Sequence, residues 1–375
     1  MHSIALFFIS LYGIFCFALI YFWQKWPIYS TSNNVSKYSL TISVIIPVRN
    51  EEKNIIALLE GLQNQSLAYP KFEVIIANDS STDSTATLVN NFISTSELDL
   101  KLINLPEIQG NASPKKRAIT HCVESAKGEI IITTDGDCVV KPNWLETILD
   151  YFEVHKPVFL SSPVFFSSKK HSSLIQNAWL YFQQIEFASL IVSGAVSIKK
   201  GVPNMCSGAN IAYLKKAFYA VKGFEGNESI ASGDDEFLMH KMSHTFPNQV
   251  HYLKSRDAIV LTDALPNWGS FYRQRKRWAS KWSYYQSLSP KLMALFIFSS
   301  NLAFCLALFT GDTLLVLMKI WPEFLFLGAT LVFFGKIRLI LWIPLLQLIY
   351  PFYVLLFGLS SLGKKEYVWK NRTLK

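Results

Sequence analysis

The chain contains, at residues 129–137, the run Glu129-Ile130-Ile131-Ile132-Thr133-Thr134-Asp135-Gly136-Asp137. Three isoleucines followed by threonines are typical of a buried β-strand, and the glycine allows a sharp turn where the strand ends. Two carboxylates one residue apart on that turn can converge on one hard divalent cation. Mg²⁺ and Mn²⁺ prefer such oxygen ligands and often complete their shell with water and a substrate diphosphate. A polar turn without a metal is the alternative, so the prediction of a metal site depends on further motifs.

The surrounding segment, residues 41–260, alternates short β-branched runs with helical patterns. This alternation predicts a mostly parallel sheet flanked by helices. Ligands of such sheets gather at the carboxyl ends of the strands. Pro47, Asp79 and the Asp135/Asp137 pair all follow predicted strands, so we expect them to face one crevice. The predicted strands cover residues 41–47, 72–77, 100–105 and 130–134.

Two polar segments near these strand ends each allow two interpretations. Asp79 can accept hydrogen bonds from the N–H edge of a uracil or from a ribose hydroxyl, whereas the Ser/Thr-rich residues after it can act simply as a helix N-cap. Lys115, Lys116 and Arg117 follow Pro114 at the start of a helical stretch. They form either a solvated charge run or a set of contacts to a diphosphate.

Asp234, Asp235 and Glu236 form an acidic cluster directly after a glycine. Such a cluster can complement the dipole of a helix N-terminus. Three adjacent like charges would also be expected in a site that holds a metal and arginines. Upstream, the turn-rich segment 203–210 contains Gly208 and could line a pocket where the backbone approaches a sugar closely.

The two ends of the chain are strongly apolar, and the mean hydropathy of +0.23 is too high for a purely soluble enzyme. Residues 3–23 carry no charge, and a bilayer-spanning helix needs roughly 20 apolar residues. With no cationic leader before it and no small-residue cleavage site after it, this run predicts an uncleaved anchor. Lys25 and Lys37 place its following flank on the cytoplasmic side.

Three further hydrophobic segments are predicted near residues 292–310, 313–335 and 339–361. With the middle domain in the cytoplasm, three full crossings would put the basic tail outside, against the positive-inside tendency. The middle segment, which Lys319, Pro322 and Glu323 interrupt, is therefore predicted to be re-entrant or interfacial.

The stretch 268–285 has an aromatic side and a basic side when it is projected as a helix. This pattern predicts an interfacial helix at the level of the lipid headgroups, with an ordinary amphipathic core helix as the alternative. The aromatic side contains Trp268, Phe271, Tyr272, Trp278, Trp282 and Tyr285, and the basic side contains Arg273, Lys276, Arg277 and Lys281.

Charge and cysteine content narrow the functional class. The net charge of +9 suits an anionic membrane face or a polyphosphate substrate. Because no base-reading module is recognisable, we predict no nucleic-acid partner. The five cysteines show no metal-ligand spacing and fit free thiols in a reducing compartment.

Five motifs follow one another along the chain: Val44-Ile45-Ile46-Pro47-Val48-Arg49-Asn50-Glu51-Glu52, the Asp79 segment, Thr134-Asp135-Gly136-Asp137, Gly233-Asp234-Asp235 and Gln274-Arg275-Lys276-Arg277-Trp278. Together they resemble the family 2 inverting glycosyltransferases over about residues 40–285. Within that family they resemble the membrane-embedded branch of hyaluronan, cellulose, chitin and poly-N-acetylglucosamine synthases and ceramide glucosyltransferases. The last motif, Gln-x-x-Arg-Trp, is the most specific part of the resemblance. One departure is Asn78, because many members have an acidic residue at that position.

The resemblance implies an α/β fold of the GT-A type, which is a nucleotide-diphospho-sugar transferase domain, with transmembrane helices at both ends. It also implies a UDP-sugar donor, Mg²⁺ or Mn²⁺ as cofactor, and Asp235 as the catalytic base. The expected metal ligands are Asp135 and Asp137. Donor contacts are expected at Pro47, Arg49, Glu51, Asp79, Lys116, Asp135, Gln274, Arg275 and Arg277, and acceptor contacts at Gly208, Asp234 and Trp278.

We therefore expect a multi-pass protein of the cell (inner) membrane whose catalytic domain faces the cytoplasm. It would transfer a sugar to the hydroxyl of a lipid-linked or polysaccharide acceptor. Alternatives are a processive polysaccharide synthase that works with partner subunits, and an inactive membrane protein that only binds nucleotide sugars. The expected parts are an anchor at 1–24, the catalytic domain at 40–265, an amphipathic segment at 266–290, a transmembrane region at 291–362 and a basic tail at 363–375.

Overall fold

A computed structural model gives the fold of the chain as two compact units. The sheet unit comprises residues 28–167, 197–263 and 367–375, and the helical unit comprises residues 1–27, 168–196 and 264–366. The structure describes residues 2–31, 38–67, 71–107, 113–167, 173–230, 232–279, 281, 284, 288–360, 367–369 and 372–374.

The sheet unit contains a seven-stranded sheet with strand order β3-β2-β1-β4-β7-β5-β8. The first four strands are parallel, as predicted, while β7 is antiparallel to both of its neighbours. A parallel pair, β6-β9, and an antiparallel pair, β10-β11, stand apart from this sheet. The strands are β1 (Ile42–Val48), β2 (Phe72–Asp79), β3 (Leu100–Leu105), β4 (Ile130–Thr133), β5 (Phe159–Ser161), β6 (Val164–Phe166), β7 (Ile211–Leu214), β8 (Val250–Tyr252), β9 (Val260–Thr262), β10 (Tyr367–Trp369) and β11 (Arg372–Leu374).

Burial explains why the central strands read as continuous apolar runs. All four residues of β4 are buried, and so are Val44, Ile45 and Ile46 of β1. A parallel strand covered on both faces has no solvent side, and it therefore lacks the alternation of a half-exposed strand. The predicted strands are confirmed at these positions.

The part of the chain that the structure describes contains twelve α-helices. Pro114 occupies the first turn of α4, where its missing N–H costs no hydrogen bond. The helices are α1 (His2–Lys25), α2 (Ile55–Gln63), α3 (Thr85–Thr95), α4 (Pro114–Ser125), α5 (Trp144–His155), α6 (Leu174–Lys199), α7 (Lys215–Ala220), α8 (Asp234–Thr245), α9 (Trp268–Ala279), α10 (Leu288–Thr310), α11 (Thr313–Phe333) and α12 (Ile343–Ser360).

Four helical segments of the helical unit are long and apolar enough to cross a membrane, counting only described residues: His2–Lys25, Leu288–Thr310, Thr313–Phe333 and Ile337–Ser360. They correspond to the predicted anchor and to the three predicted C-terminal segments. The last one begins with a short 3-10 helix, Ile337–Trp342. The segment predicted to be re-entrant or interfacial is α11, one continuous helix that contains Pro322. Its path relative to a membrane stays a prediction.

The charges that interrupt α11 in the sequence are buried and paired. Lys319 Nζ lies 3.1 and 3.2 Å from the carboxylate oxygens of Glu323. Tyr12 of α1 donates a 2.6 Å hydrogen bond to Glu323, and Gln347 of α12 donates one of 3.0 Å. An unpaired charge in apolar surroundings is expensive, so this network ties three apolar helices together.

Two smaller features complete the fold. All five cysteines are buried free thiols. The segment predicted as a basic tail contains the strands β10 and β11.

Candidate functional site

The carboxyl ends of β1, β2 and β4 lie at one edge of the sheet. In the register, Val48 pairs with Asn78, and Ile45 pairs with Thr133. Gly136, between the two aspartates after β4, packs against the end of β1. A Cβ atom at this glycine would come within 2.9 Å of a Val48 side-chain carbon, so the close approach requires a glycine.

Lys115 of α4 joins two of the predicted site carboxylates. Its Nζ lies 2.7 Å from Asp135 Oδ1 and 3.2 Å from Asp234 Oδ2. Burial alone would lower the pKa of Lys115, but the carboxylates of Asp135 and Asp234 outweigh burial and raise that pKa above its usual value. Burial alone would raise the pKa of Asp234, but Lys115 outweighs it, and that pKa lies below its usual value. Lys115 is therefore a protonated ammonium group between the carboxylates of Asp135 and Asp234.

We expect Lys115→Met to destabilise the sheet unit by about 2 kcal/mol at neutral pH, the scale of a charged hydrogen bond. Because the folded pKa of Asp234 is lowered, its ionised form stabilises the fold above its unfolded pKa of about 3.9. This contribution disappears as the pH falls through the lower folded pKa. The stability difference between wild type and variant should therefore be largest near neutral pH and shrink in acid. Thermal unfolding across pH measures it.

Lys216→Met, a change of an exposed lysine on α7, is the control for the loss of one positive charge. We expect it to leave the pH dependence of stability unchanged. A stability difference for Lys115→Met that is the same at every pH would contradict the pairing of Lys115 with Asp234.

Arg117, two residues after Lys115, contacts the end of β2. Its Nη2 lies 3.0 Å from the buried carboxylate of Asp79. The first turn of α4 thus links Asp79, Asp135 and Asp234. These carboxylates, which lie far apart in the sequence, belong to one site and do not open onto separate surfaces.

The backbone at the end of β2 is held by its neighbours. Arg49 Nη1 donates to the carbonyl oxygens of Asp79 at 2.7 Å and Ser80 at 2.9 Å. Asn78, where the resemblance leads one to expect an acidic residue, donates a 2.8 Å hydrogen bond to Asn104 of β3. Asn50 and Ser80, which follow β1 and β2, have left-handed φ values of 55° and 52°. Such backbone strain is often concentrated at functional sites.

Asp235 is oriented by backbone N–H groups at the start of α8. Gly208 N–H donates to its Oδ2 at 2.7 Å, and Glu236 N–H donates to its Oδ1 at 2.8 Å. A Cβ atom at Gly208 would lie 3.2 Å from Asp234 Oδ2 and 3.4 Å from the Asp235 side chain. A side chain at position 208 would therefore crowd both aspartates.

Two predicted donor contacts have structural partners in the sheet unit. Lys116 is 2% exposed, and its Nζ donates to the Asn227 carbonyl oxygen at 2.7 Å and to the side-chain oxygen at 3.0 Å. Glu51 accepts a 3.0 Å hydrogen bond from the Asn54 amide. Their roles in donor binding stay predictions, as does that of Pro47 at the end of β1. The sequence predicts a donor contact at Lys116, whereas the structure places Lys115 next to the carboxylates of Asp135 and Asp234.

The predicted metal pair provides few side-chain ligands. Among the described residues, no group of three or more His, Cys, Asp or Glu side chains is placed to hold a metal ion. Asp135 and Asp137 are both half-buried. Such a pair fits Mg²⁺, which commonly binds through one or two carboxylates together with substrate phosphates and water.

In the helical unit, α9 carries the Gln274–Trp278 motif and is held by a buried ion pair. Arg275, 3% exposed, pairs through Nη2 with Glu186 of α6, which is 1% exposed. Tyr353 of α12 donates a 2.9 Å hydrogen bond to Glu186 and accepts one of 3.1 Å from Arg275. The guanidinium carbon also lies 4.1 Å from the centre of the Trp278 ring. Burial lowers the pKa of Arg275, but Glu186 outweighs it, and the pKa is raised.

The structure differs from the predicted amphipathic helix in two ways: α9 is shorter than the predicted stretch 268–285, and one residue of the predicted basic side is buried. The helix ends at Ala279, and Trp282 and Tyr285 lie outside the described residues. Lys281, predicted on the exposed basic side, is buried. Gln274, Arg277 and Trp278 are half-buried, and Gln274 accepts a hydrogen bond from Arg275. Their contacts to donor or acceptor stay predictions.

Comparison with known proteins shows which protein family the sheet unit matches. The pattern of the family described as glycosyl transferase family 2 matches residues 43–221. The chain carries a glycosyl transferase family 2 domain. This match contains β2, β4, all of β1 except Ile42, and the carboxylates Asp79, Asp135 and Asp137.

Curated relatives of the family 2 domain match part of the chain. A dodecaprenyl-phosphate galacturonate synthase of Rhizobium johnstonii is 28% identical over 128 residues, covering 34% of this chain and 36% of the relative. Glycosyltransferase AglE of Haloferax volcanii is 34% identical over 105 residues, covering 28% of this chain and 33% of the relative. The chain thus spans about a third of the length of these relatives.

A solved structure confirms the fold class. The mannosyltransferase PcManGT from Pyrobaculum calidifontis, in complex with GDP-Man and Mn²⁺, is 17% identical, with a TM-score of 0.53. The alignment covers 92% of this chain and 98% of that one. The predicted GT-A fold, with a mostly parallel sheet and apolar helices at both ends, is confirmed.

Proposed function

We propose that the protein transfers a sugar from a UDP-sugar to a hydroxyl group of a lipid-linked acceptor, with inversion at the anomeric carbon. The observation that supports this most directly is the Lys115 bridge between Asp135 and Asp234, next to the oriented carboxylate of Asp235. Displacement of a diphosphate by a hydroxyl needs a cation near the leaving group and a carboxylate base for the proton. Lys115 and Asp235 are adjacent and would supply them.

Asp235 would act as the base. An acceptor hydroxyl has a pKa far above 7 and needs a base within about 3 Å of its proton. Each oxygen of Asp235 accepts one backbone N–H, and these two hydrogen bonds orient the carboxylate. A carboxylate oxygen can accept more than one hydrogen bond. As the proton passes to Asp235, the hydroxyl oxygen bonds to the anomeric carbon, and the bond from that carbon to the diphosphate oxygen breaks. UDP leaves on the opposite face.

Lys115 would stabilise the leaving diphosphate. Its ammonium group is held by Asp135 and Asp234, and it can donate a further hydrogen bond to a phosphate oxygen. A divalent cation held by Asp135 and Asp137 would supply additional neutralisation of the leaving group when bound.

The donor base would be recognised near Asp79, whose carboxylate is held by Arg117. A carboxylate at this position can accept from the N–H edge of uracil. The PcManGT structure holds GDP-Man, so the base is a point to test directly.

The acceptor would be a lipid at the cytoplasmic face of the cell membrane. Four helical segments of the described chain are able to cross a membrane, which suits an acceptor that resides there. The Rhizobium relative is named for a dodecaprenyl-phosphate product, which also favours a lipid-linked acceptor.

Nucleotide release by the purified chain in detergent tests the proposal. The assay would supply UDP-sugars and GDP-sugars with Mg²⁺ or Mn²⁺, and either a polyprenyl-linked sugar or a soluble glycan as acceptor. We expect UDP release that depends on the metal and on the lipid-linked acceptor, with a product of inverted configuration by mass spectrometry and NMR. Release from GDP-sugars alone would overturn the assignment of the donor, and transfer only to the soluble glycan would overturn that of the acceptor.

A further inference from the structure

The helical unit contains an apolar groove between α6, α9 and α12 with a volume of about 410 Å³. Six of its thirteen lining residues are aromatic, and the others are aliphatic. The aromatic ones are Trp179, Phe182, Trp268, Trp342, Phe352 and Tyr353.

The wall formed by α12 belongs to a segment able to cross a membrane. Its lining residues include Leu345, Ile349, Phe352 and Leu356, all of which are large and exposed. An exposed apolar patch of this kind marks a site for an apolar partner or ligand. On a segment able to cross a membrane, hydrocarbon is the natural occupant.

The polar atoms that border the groove already have protein partners. Trp179 Nε1 donates to the Leu265 carbonyl oxygen at 3.0 Å, and the Tyr353 hydroxyl bonds with Glu186 and Arg275. A ligand that fills the groove therefore needs few hydrogen bonds. This chemistry suits a hydrocarbon chain, and flat aromatic walls suit the planar double bonds of isoprene units.

Positive charge lies on the helix that contributes Trp268 to the groove. The sequence of α9 contains Arg273, Lys276 and Arg277 besides the buried Arg275, and it has no acidic residue. Arg273 is exposed. A hydrocarbon chain in the groove with a negatively charged phosphate headgroup would match both the apolar wall and this basic helix.

We propose that the groove binds the isoprenoid chain of a phosphate-bearing lipid acceptor. This inference rests on the proposed function, whose lipid-linked acceptor it specifies as a polyprenyl phosphate derivative. The groove would bind the isoprenoid chain of the acceptor, and the proposed sugar transfer would be carried out by residues of the sheet unit.

Photolabelling of the full chain in nanodiscs of phosphatidylglycerol tests this assignment. The probe is a polyprenyl phosphate that carries a photoreactive group in its isoprenoid chain, and mass spectrometry maps the labelled peptides. The surrounding phosphatidylglycerol supplies acyl chains with an anionic headgroup in large excess. We expect labelling concentrated on α6 and α12.

Ile349→Trp should fill the groove and lower this labelling by about tenfold. Leu348→Trp is the matched control, because Leu348 is the preceding residue of α12, is 48% exposed against 46% for Ile349, and does not line the groove. Leu345→Trp provides a second groove-filling variant. Thermal unfolding and UDP-sugar binding, measured on every variant, show that the fold and the sheet unit remain intact.

Three outcomes would overturn the proposal: equal loss of labelling in Leu348→Trp, unchanged labelling in both groove-filling variants, or labelling spread evenly over α1, α10 and α11. Failure of the proposed function gives a separate result. In that case no sugar transfer occurs with any acceptor, although Ile349→Trp still lowers labelling.

Discussion

Asp235→Asn should lower the rate of sugar transfer by about 10²–10⁴-fold, the usual contribution of a positioned general base. Asparagine has nearly the same shape, and its side-chain oxygen can still accept a hydrogen bond from Gly208 or Glu236. The amide cannot take up the proton of the acceptor hydroxyl. We therefore expect the loss in kcat, with little change in the KM of the donor. Nucleotide release with saturating acceptor measures both constants.

Two further variants make this result specific. Asp99→Asn, in the loop before β3, removes one carboxylate of the sheet unit away from the site and should leave kcat within about twofold of wild type. Asp234→Asn removes the neighbour that pairs with Lys115, so we expect it to weaken donor binding. If Asp234→Asn lost transfer while Asp235→Asn kept it, the base would be Asp234.

The central part of the sheet could be predicted because β1, β2 and β4 are almost entirely buried. The β-branched runs at β1, β2 and β4 are typical of parallel strands covered on both faces, and their ends identified Asp79 and the Asp135/Asp137 pair. The antiparallel strand β7 has only four residues, Ile211–Leu214. Its place between β4 and β5 depends on tertiary pairing, which no local pattern records.

The contacts that link the candidate functional residues to one another were harder to predict. Lys115 and Lys116 are chemically identical, and only the phase of α4 decides which one faces Asp135. That phase is set by how α4, which begins at Pro114, packs against β1 and β2. Likewise, the partner of Arg275 is Glu186, which lies 89 residues away on another helix. The motif around Arg275 predicts a donor contact. Nothing in the local sequence indicates that Arg275 forms a buried ion pair.

Glu186→Ala should destabilise the helical unit by about 3–5 kcal/mol, since it leaves the charge of Arg275 buried without its carboxylate. The Tyr353 hydroxyl would also lose the oxygen to which it donates. A guanidinium cannot escape this cost by losing its proton, because it stays protonated in proteins and Glu186 raises the pKa of Arg275 further. Thermal unfolding in detergent should therefore show a large drop in the midpoint for this variant.

The double variant Glu186→Leu/Arg275→Leu separates the ion pair from the packing around it. Removing both charges leaves no uncompensated ion, so we expect it to recover most of the stability lost in Glu186→Ala. A double variant as unstable as Glu186→Ala would show that the site depends on its polar contacts and not on charge compensation. The same protein also tests Arg275 as a donor contact. If it keeps the donor KM of wild type, Arg275 serves to hold α9 against α6 and α12, and the basic contacts to the diphosphate must come from other residues, of which Lys115 is the best placed.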